Sequence, residues 1–285
     1  MNRKVDLFDS TYSHFEAEVL ARIRQKTFGE DFGQNSWTTA DEYRRWSKWL
    51  DLKETSHVLE VASGSGGPAI FLAGLCGGRV TGIDINAHGV SAAMLRAQDH
   101  GLADRVAFQK VDAGATLPFP DHSFDAILCI DSANHFADRL GVLKEWRRVL
   151  KPGGNALFTD PVVITGLVSN EELAARSSIG YFLFAPPRVN ERLIGAAGFE
   201  LVRQEDVTEN AAGVSKRWYE ARAEDYEALV QIEGEERYQD LQDFFSTVHR
   251  LTKERRLSRF VYMAQKRPDV SPGTDDSSGP GLIEG

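Results

Sequence analysis

Cysteine is nearly missing from this 285-residue chain, which holds only Cys76 and Cys129. Two are too few for a disulfide framework, and both fall in apolar contexts (L-C-G-G and I-L-C-I) that suit buried, reduced core positions. No C-x-x-C and no H-x-x-x-H spacing occurs, so no metal site is predicted. A G-x-S-x-G nucleophile turn and a P-loop lysine are also missing. No apolar run is long enough to span a membrane, and the opening M-N-R-K-V-D-L-F-D-S has no apolar core of a signal peptide. The expected compartment is therefore the cytoplasm. Basic blocks are lacking and the net charge is −9, which argues against general nucleic-acid binding while leaving room for a cationic ligand. No internal repeat is visible.

What is present is ordinary for a soluble globular protein, with 42% apolar and 26% charged residues. Apolar positions at helical spacing over 5–27 predict one or two amphipathic helices, and a capping pattern from Thr39 to Glu42 opens another that runs to about Leu50. From His57 the pattern alternates. Strands are predicted at 57–62, 79–84, 105–111, 124–130 and 155–161, with helical stretches between most of them. A helix over 170–184, a helix over 187–197, a strand over 199–207, two charged helices over 211–254 and a strand over 257–265 follow. Such alternation predicts an α/β chain with a doubly wound, mostly parallel seven-stranded sheet. Residues 1–52 would form a helical cap, 53–266 the main domain with lid insertions at about 165–185 and 211–254, and 267–285 a disordered tail rich in Pro, Gly, Ser and Asp.

The stretch Val58 to Pro68, V-L-E-V-A-S-G-S-G-G-P, reads as a buried strand, a glycine turn and the start of a helix. Gly64, Gly66 and Gly67 lack the Cβ that would keep a backbone away from a ligand. Three acids, Glu60, Asp84 and Asp112, end three successive strands. Asp84 lies about 20 residues beyond the turn, where a carboxylate can accept from both ribose hydroxyls. That spacing alone would also fit a nicotinamide site. Glu60, however, would repel a pyrophosphate and suits the ammonium of an amino acid instead.

These residues resemble the class I S-adenosylmethionine-dependent methyltransferases. E-V-A-S-G-S-G matches the first motif with Ala62 in place of a glycine, and G-I-D-I matches the second. D-A-G-A-T-L-P-F-P-D-H-S-F-D-A-I resembles the third-strand acid and the approach to the fourth strand, and R-V-L-K-P-G-G the phrase before the fifth. The resemblance covers about residues 55–165. It implies a Rossmann-like fold, S-adenosylmethionine as cofactor, and a methionine half near Glu60, Ala62, Gly64 and Gly66. Asp84 and Ile85 would meet the ribose, Asp112 and Ala113 the adenine, and Ile130 the methionine.

The exits I-D-S-A-N-H-F and F-T-D-P further resemble the small-molecule branch that includes phosphoethanolamine and glycine/sarcosine N-methyltransferases. Ile130 stands where that branch has a basic residue, which weighs against a phosphorylated amine. The resemblance implies His135 as general base, covered by Tyr12, with Asp131 and Asp160 holding a cationic amine. The rings of Trp37, Tyr181 and Phe182 could face an ammonium or the sulfonium. A nitrogen acceptor is thus expected. Methylation at oxygen or carbon, and a non-catalytic cofactor-binding protein, stay open.

Overall fold

The computed structural model describes residues 17–267. Among the described residues two helices precede the sheet, α1 (Glu18–Phe28) and α2 (Ala40–Trp49), and Thr39 caps the second, its backbone N–H 3.4 Å from Glu42 Oε2. Then β1 (His57–Val61), β2 (Arg79–Asp84), β3 (Val106–Lys110), β4 (Phe124–Cys129) and β5 (Leu150–Ile164) pair in parallel, with helical crossovers between β1 and β2, β2 and β3, and β4 and β5, and a helix-free connection from β3 to β4. β6 (Phe199–Asp206) and β7 (Leu257–Lys266) complete a seven-stranded sheet in the order β3-β2-β1-β4-β5-β7-β6, and β7 runs antiparallel to both neighbours. Chain direction across the sheet reverses between β1 and β4. That reversal leaves a crevice at their carboxyl ends.

Both faces of the sheet are covered. On one, α2, α3 (Gly67–Cys76) and α4 (Ala87–Asp99) bury Tyr43, Trp46, Ile70 and Val90 against Val58 and Leu128. On the other, α5 (Arg139–Val149) buries Leu143 and Trp146 against Leu59, Ile127 and Phe158. Each large side chain removed from water this way contributes ~1.5–3 kcal/mol before entropy is subtracted.

Three departures from the sequence reading shape the site. The helix predicted over 170–184 is only α6 (Asn170–Arg176); Ser177 Oγ donates back to the Leu173 carbonyl at 2.7 Å. The chain beyond it is held against the sheet instead, by Leu183 N donating to Asn134 O at 2.8 Å and by a bridge from Ala185 to Val163. β5 starts at Leu150, earlier than expected, because Lys-Pro-Gly-Gly joins the strand through a register shift between Phe124 and Ala126 of β4. After α7 (Val189–Ala196), the two helices predicted over 211–254 are three: α8 (Thr208–Glu224), α9 (Tyr226–Glu233) and α10 (Glu235–Lys253). Gly234 breaks the last two apart at φ 79°, ψ 158°, which L side chains rarely adopt.

A separate apolar cluster, with Phe28, Trp37, Ile179, Val214, Phe244 and Phe245, joins α1, α8 and α10 above the crevice. Among the described residues no helix is long and apolar enough to cross a membrane.

Candidate functional site

One cavity of about 460 Å³ lies at the carboxyl edge of the sheet, between the ends of β1, β2 and β4 and the aromatic cluster above. Its floor follows from the glycine turn. Ala62, Gly64 and Gly66 all adopt left-handed backbone, at φ 59°, 54° and 78°. This coil directs the Gly64 N–H to Asp84 Oδ2 at 2.8 Å. Asn86 N donates to Asp84 Oδ1 at the same distance. Burial raises the Asp84 pKa, against the pull of the Asn86, Gly64 and Ile85 N–H groups. Each Asp84 oxygen keeps acceptor capacity for a hydroxyl.

Glu60 has a side-chain hydrogen bond from Tyr43. It lines the cavity, is buried, and its Oε2 has no hydrogen-bond partner. Burial, then the nearby Asp84 charge, push its carboxyl up to about 8. A cation delivered to this position would satisfy it. Asp112, Ala113, Ile130 and Ile85, which is 65% exposed, line the same cavity, and Asp112 Oδ1 accepts from Gly114 N at 2.8 Å. A buried acceptor without a donor, a backbone coil with no side chains in the way and carboxylates at successive strand ends together fit an amino-acid-bearing nucleoside.

Gly66 is a correction. It does not line the cavity; a Cβ there would meet Ala93 Cβ and Phe108 at 2.6 Å, so its bareness lets α3 sit close to α4 and β3. Gly67 serves a similar end, with the Phe32 carbonyl occupying the space of a Cβ.

The reacting side is assembled past β4. The chain leaves as a short 3₁₀ turn, Ala133–His135. His135 Nδ1 donates to the Tyr181 carbonyl at 2.6 Å, which assigns the ring's other nitrogen, Nε2, as the lone-pair bearer. Burial lowers the His135 pKa below its ordinary 6.5, outweighing that hydrogen bond, with the Arg176 charge adding to the fall. The imidazole is therefore neutral at pH 7. The Phe182 ring packs edge-on to it, with centroids 4.7 Å apart. Trp37 also lines the cavity, its backbone N–H donating to Asp131 Oδ2 at 2.8 Å.

Three expected side-chain roles change. Asp131 borders the cavity, but its carboxylate is already spent: Arg259 Nε and Thr159 Oγ1 both donate to Oδ1 at 2.7 Å, besides Trp37 on Oδ2. Asp160 is fully buried and off the cavity, accepting from Arg139 Nη1 at 2.7 Å and Asn190 Nδ2 at 2.9 Å. The Tyr181 side chain is 50% exposed and does not line the cavity; its backbone carbonyl, not its ring, serves the site. Tyr12 lies outside the described residues.

The cavity also holds residues that the sequence did not single out, among them Tyr43, Arg176, Trp218, Phe244 and Phe245. The sign available beforehand was the lone Arg176 in an otherwise small-residue run, A-A-R-S-S. The aromatics gave none, since their helical spacing is also that of plain core.

Comparison with known proteins adds to this geometry. The profile of a family described as "Methyltransferase domain" matches residues 59–158. The chain is 34% identical over 216 residues to the sterol 24-C-methyltransferase ERG6B of Gibberella zeae, covering 73% of this chain and 53% of that protein. It is 35% identical over 166 residues to the methyltransferase GfsG of Streptomyces halstedii, covering 56% and 58%. The chain thus spans little more than half the length of these curated relatives. Among solved structures, phosphoethanolamine N-methyltransferase 2 of Haemonchus contortus, in complex with phosphomonomethylethanolamine and S-adenosylhomocysteine, superposes with a TM-score of 0.76 at 21% identity. That superposition covers 93% of this chain and 61% of the other, and shows a shared fold.

Proposed function

We propose that the chain is a class I S-adenosylmethionine-dependent methyltransferase of small molecules, a reading supported by the methyltransferase profile over residues 59–158 and by the methyltransferase relatives, and that it methylates a compact acceptor bound beneath the aromatic cluster. The observation that carries this reading is the buried Glu60 carboxyl group, its Oε2 without a hydrogen-bond partner, in one cavity with Asp84 and Asp112. Glu60 would take the ammonium of the cofactor, Asp84 the ribose hydroxyls and Asp112 the adenine. When bound, S-adenosylmethionine supplies a methyl group already activated as a sulfonium.

The chain's own task is then orientation, exclusion of water and proton removal. Holding the partners in line can account for ~7–11 kcal/mol of barrier lowering. Trp37, Phe182 and Phe244 exclude water from the acceptor side. His135, neutral and with Nδ1 anchored on a carbonyl, offers Nε2 as the base for an acceptor that arrives protonated. A nitrogen acceptor would need Asp131 and Asp160 as holders of a cation. Arg259 and Arg139 already neutralise those carboxylates, so the proposed acceptor is a hydroxyl.

Calorimetry tests the core of this reading. The protein is expected to bind both S-adenosylmethionine and S-adenosylhomocysteine, and to transfer labelled methyl groups to small molecules of a cell extract. If neither compound is taken up by folded protein, the reading is wrong.

A further inference from the structure

Arg176 ends α6 at the cavity wall with 2% of its surface exposed. Of the buried arginines among the described residues, Arg139 pairs with Asp160, Arg222 with Glu233, and Arg259 with Glu42 and Asp131. Arg176 differs. Among the described residues no carboxylate pairs with it, and its Nη1 has no hydrogen-bond partner. Its guanidinium carbon lies instead 5.8, 4.8 and 5.3 Å from the ring centroids of Trp37, Phe182 and Phe244. Burial lowers its pKa to about 10, against the pull of the Asp131 and Asp160 charges, which are themselves paired with Arg259 and Arg139, and this leaves it charged at neutral pH. Ring faces attract a cation by roughly 0.5–2 kcal/mol, less than the cost of keeping an unpaired charge out of water. A cation maintained at such a cost, at the wall of a ligand cavity, is short of a counter-ion.

We propose that Arg176 is the counter-ion of the acceptor, and that the acceptor is a compact hydroxyaryl carboxylate. The inference rests on the methyltransferase reading above and adds the charge and shape of the substrate. A guanidinium fork matches a carboxylate through two parallel hydrogen bonds. A doubly charged phosphate would call for further cations, and the described cavity lining contains no other arginine or lysine. The flat walls offered by Phe182 and Phe244 suit an aromatic ring. Arg176 and His135 both lie against Phe182, at 4.8 and 4.7 Å, so a molecule one ring long can reach the two together. The carboxylate then sits on Arg176 and the hydroxyl beside His135. The cavity of about 460 Å³ has to take cofactor and acceptor at once, which favours a compact body over an extended one.

The test is calorimetry on the full chain saturated with S-adenosylhomocysteine. The probes are para-hydroxybenzoate, para-hydroxycinnamate and 1-hydroxy-2-naphthoate, each beside its carboxamide. At least one carboxylate is expected to bind about 10- to 100-fold tighter than its amide, the range of a hydrogen bond to a charged group. Arg176→Met should erase that preference and leave uptake of S-adenosylhomocysteine unchanged. Without acceptor, the variant should melt no lower than the parent, because an unpaired buried charge has been removed. The assignment is overturned if amides bind as tightly as acids, if none of the acids binds, or if folded Arg176→Met keeps the preference. A large fall in melting temperature of the variant would make Arg176 structural and overturn it as well. Failure to take up S-adenosylhomocysteine would remove the methyltransferase reading itself, a result separable from the others.

Discussion

Glu60 and His135 are two titratable groups whose surroundings push them toward the neutral form, for different ends. Burial and Asp84 raise the Glu60 pKa from 4.5 to about 8. Between those values the folded protein holds a proton that the unfolded chain has released, so this group's contribution to stability is full below 4.5 and fades as pH rises to about 8. A cationic ligand reverses the preference, since it favours the carboxylate. Affinity for S-adenosylmethionine should therefore climb with pH and level off above about 8. Glu60→Gln should flatten both curves, and a variant with the parent's pH profile would show that Glu60 does not meet the ammonium. At His135 the downward shift leaves the base form present across neutrality and moves any acid limb of the rate profile below 6.5. His135→Ala is expected to reduce turnover by ~10²–10⁴-fold at unchanged cofactor affinity, measured with the labelled methyl donor. Unaltered turnover would return the ring to a packing role. The sequence made these two residues visible because each stands at a strand exit within a recognisable phrase. It hid the partner choices of Asp131 and Asp160, because the arginines that neutralise them come from distant elements, 128 residues away for Arg259 and 21 for Arg139.

Among the elements, the decisive joint is the clasp made by Arg259 of β7. Its Nη1 donates to both Glu42 oxygens of α2 at 3.1 and 3.0 Å, its Nε to Asp131 after β4, and its Nη2 to Thr38. A strand from the far end of the chain thereby fixes the helix and loop that carry Trp37 over the cavity. Removing this one cation leaves two carboxylates buried together. Arg259→Met should cost ~3–5 kcal/mol in urea unfolding, with Arg259→Lys closer to the parent. A midpoint unmoved by the methionine would show that the clasp adds nothing. The strands and crossover helices were readable because a period of two or of 3.6 is local information. The helix expected over 170–184 runs past α6 because the apolar Ile179, Tyr181 and Phe182 continue beyond it, although Ser177, Ser178 and Gly180 are weak helix formers; the chain there is held instead by contacts with Asn134 and Val163 that only the folded chain supplies.

At the scale of the whole molecule, the sheet with its two apolar layers forms a base, and the segments that close the cavity are joined to it by fewer bonds. The loop between α1 and α2 is held by stacking of Phe32 on Phe71 at 4.4 Å, by Trp37 N on Asp131, and by Asn210 Nδ2 donating to the Trp37 carbonyl at 3.3 Å. Its amides have few backbone partners, so they should exchange with solvent through small local openings rather than global unfolding. Amides of β1, β4 and β5 lie in ladders paired on both sides and should exchange only when the whole fold opens. A bound ligand at 100 times its Kd stabilises the fold by about 2.7 kcal/mol, which slows that second class alike wherever it occurs. Local openings respond only if the ligand touches the segment that opens. Saturation with S-adenosylhomocysteine should therefore slow exchange in residues 30–39 and 177–185 in addition to the uniform effect on the strands. Hydrogen–deuterium exchange with peptide resolution would read this directly. Strand protection without any change in those two segments would mean that they stand clear of the bound cofactor, and that the covered chamber lies elsewhere.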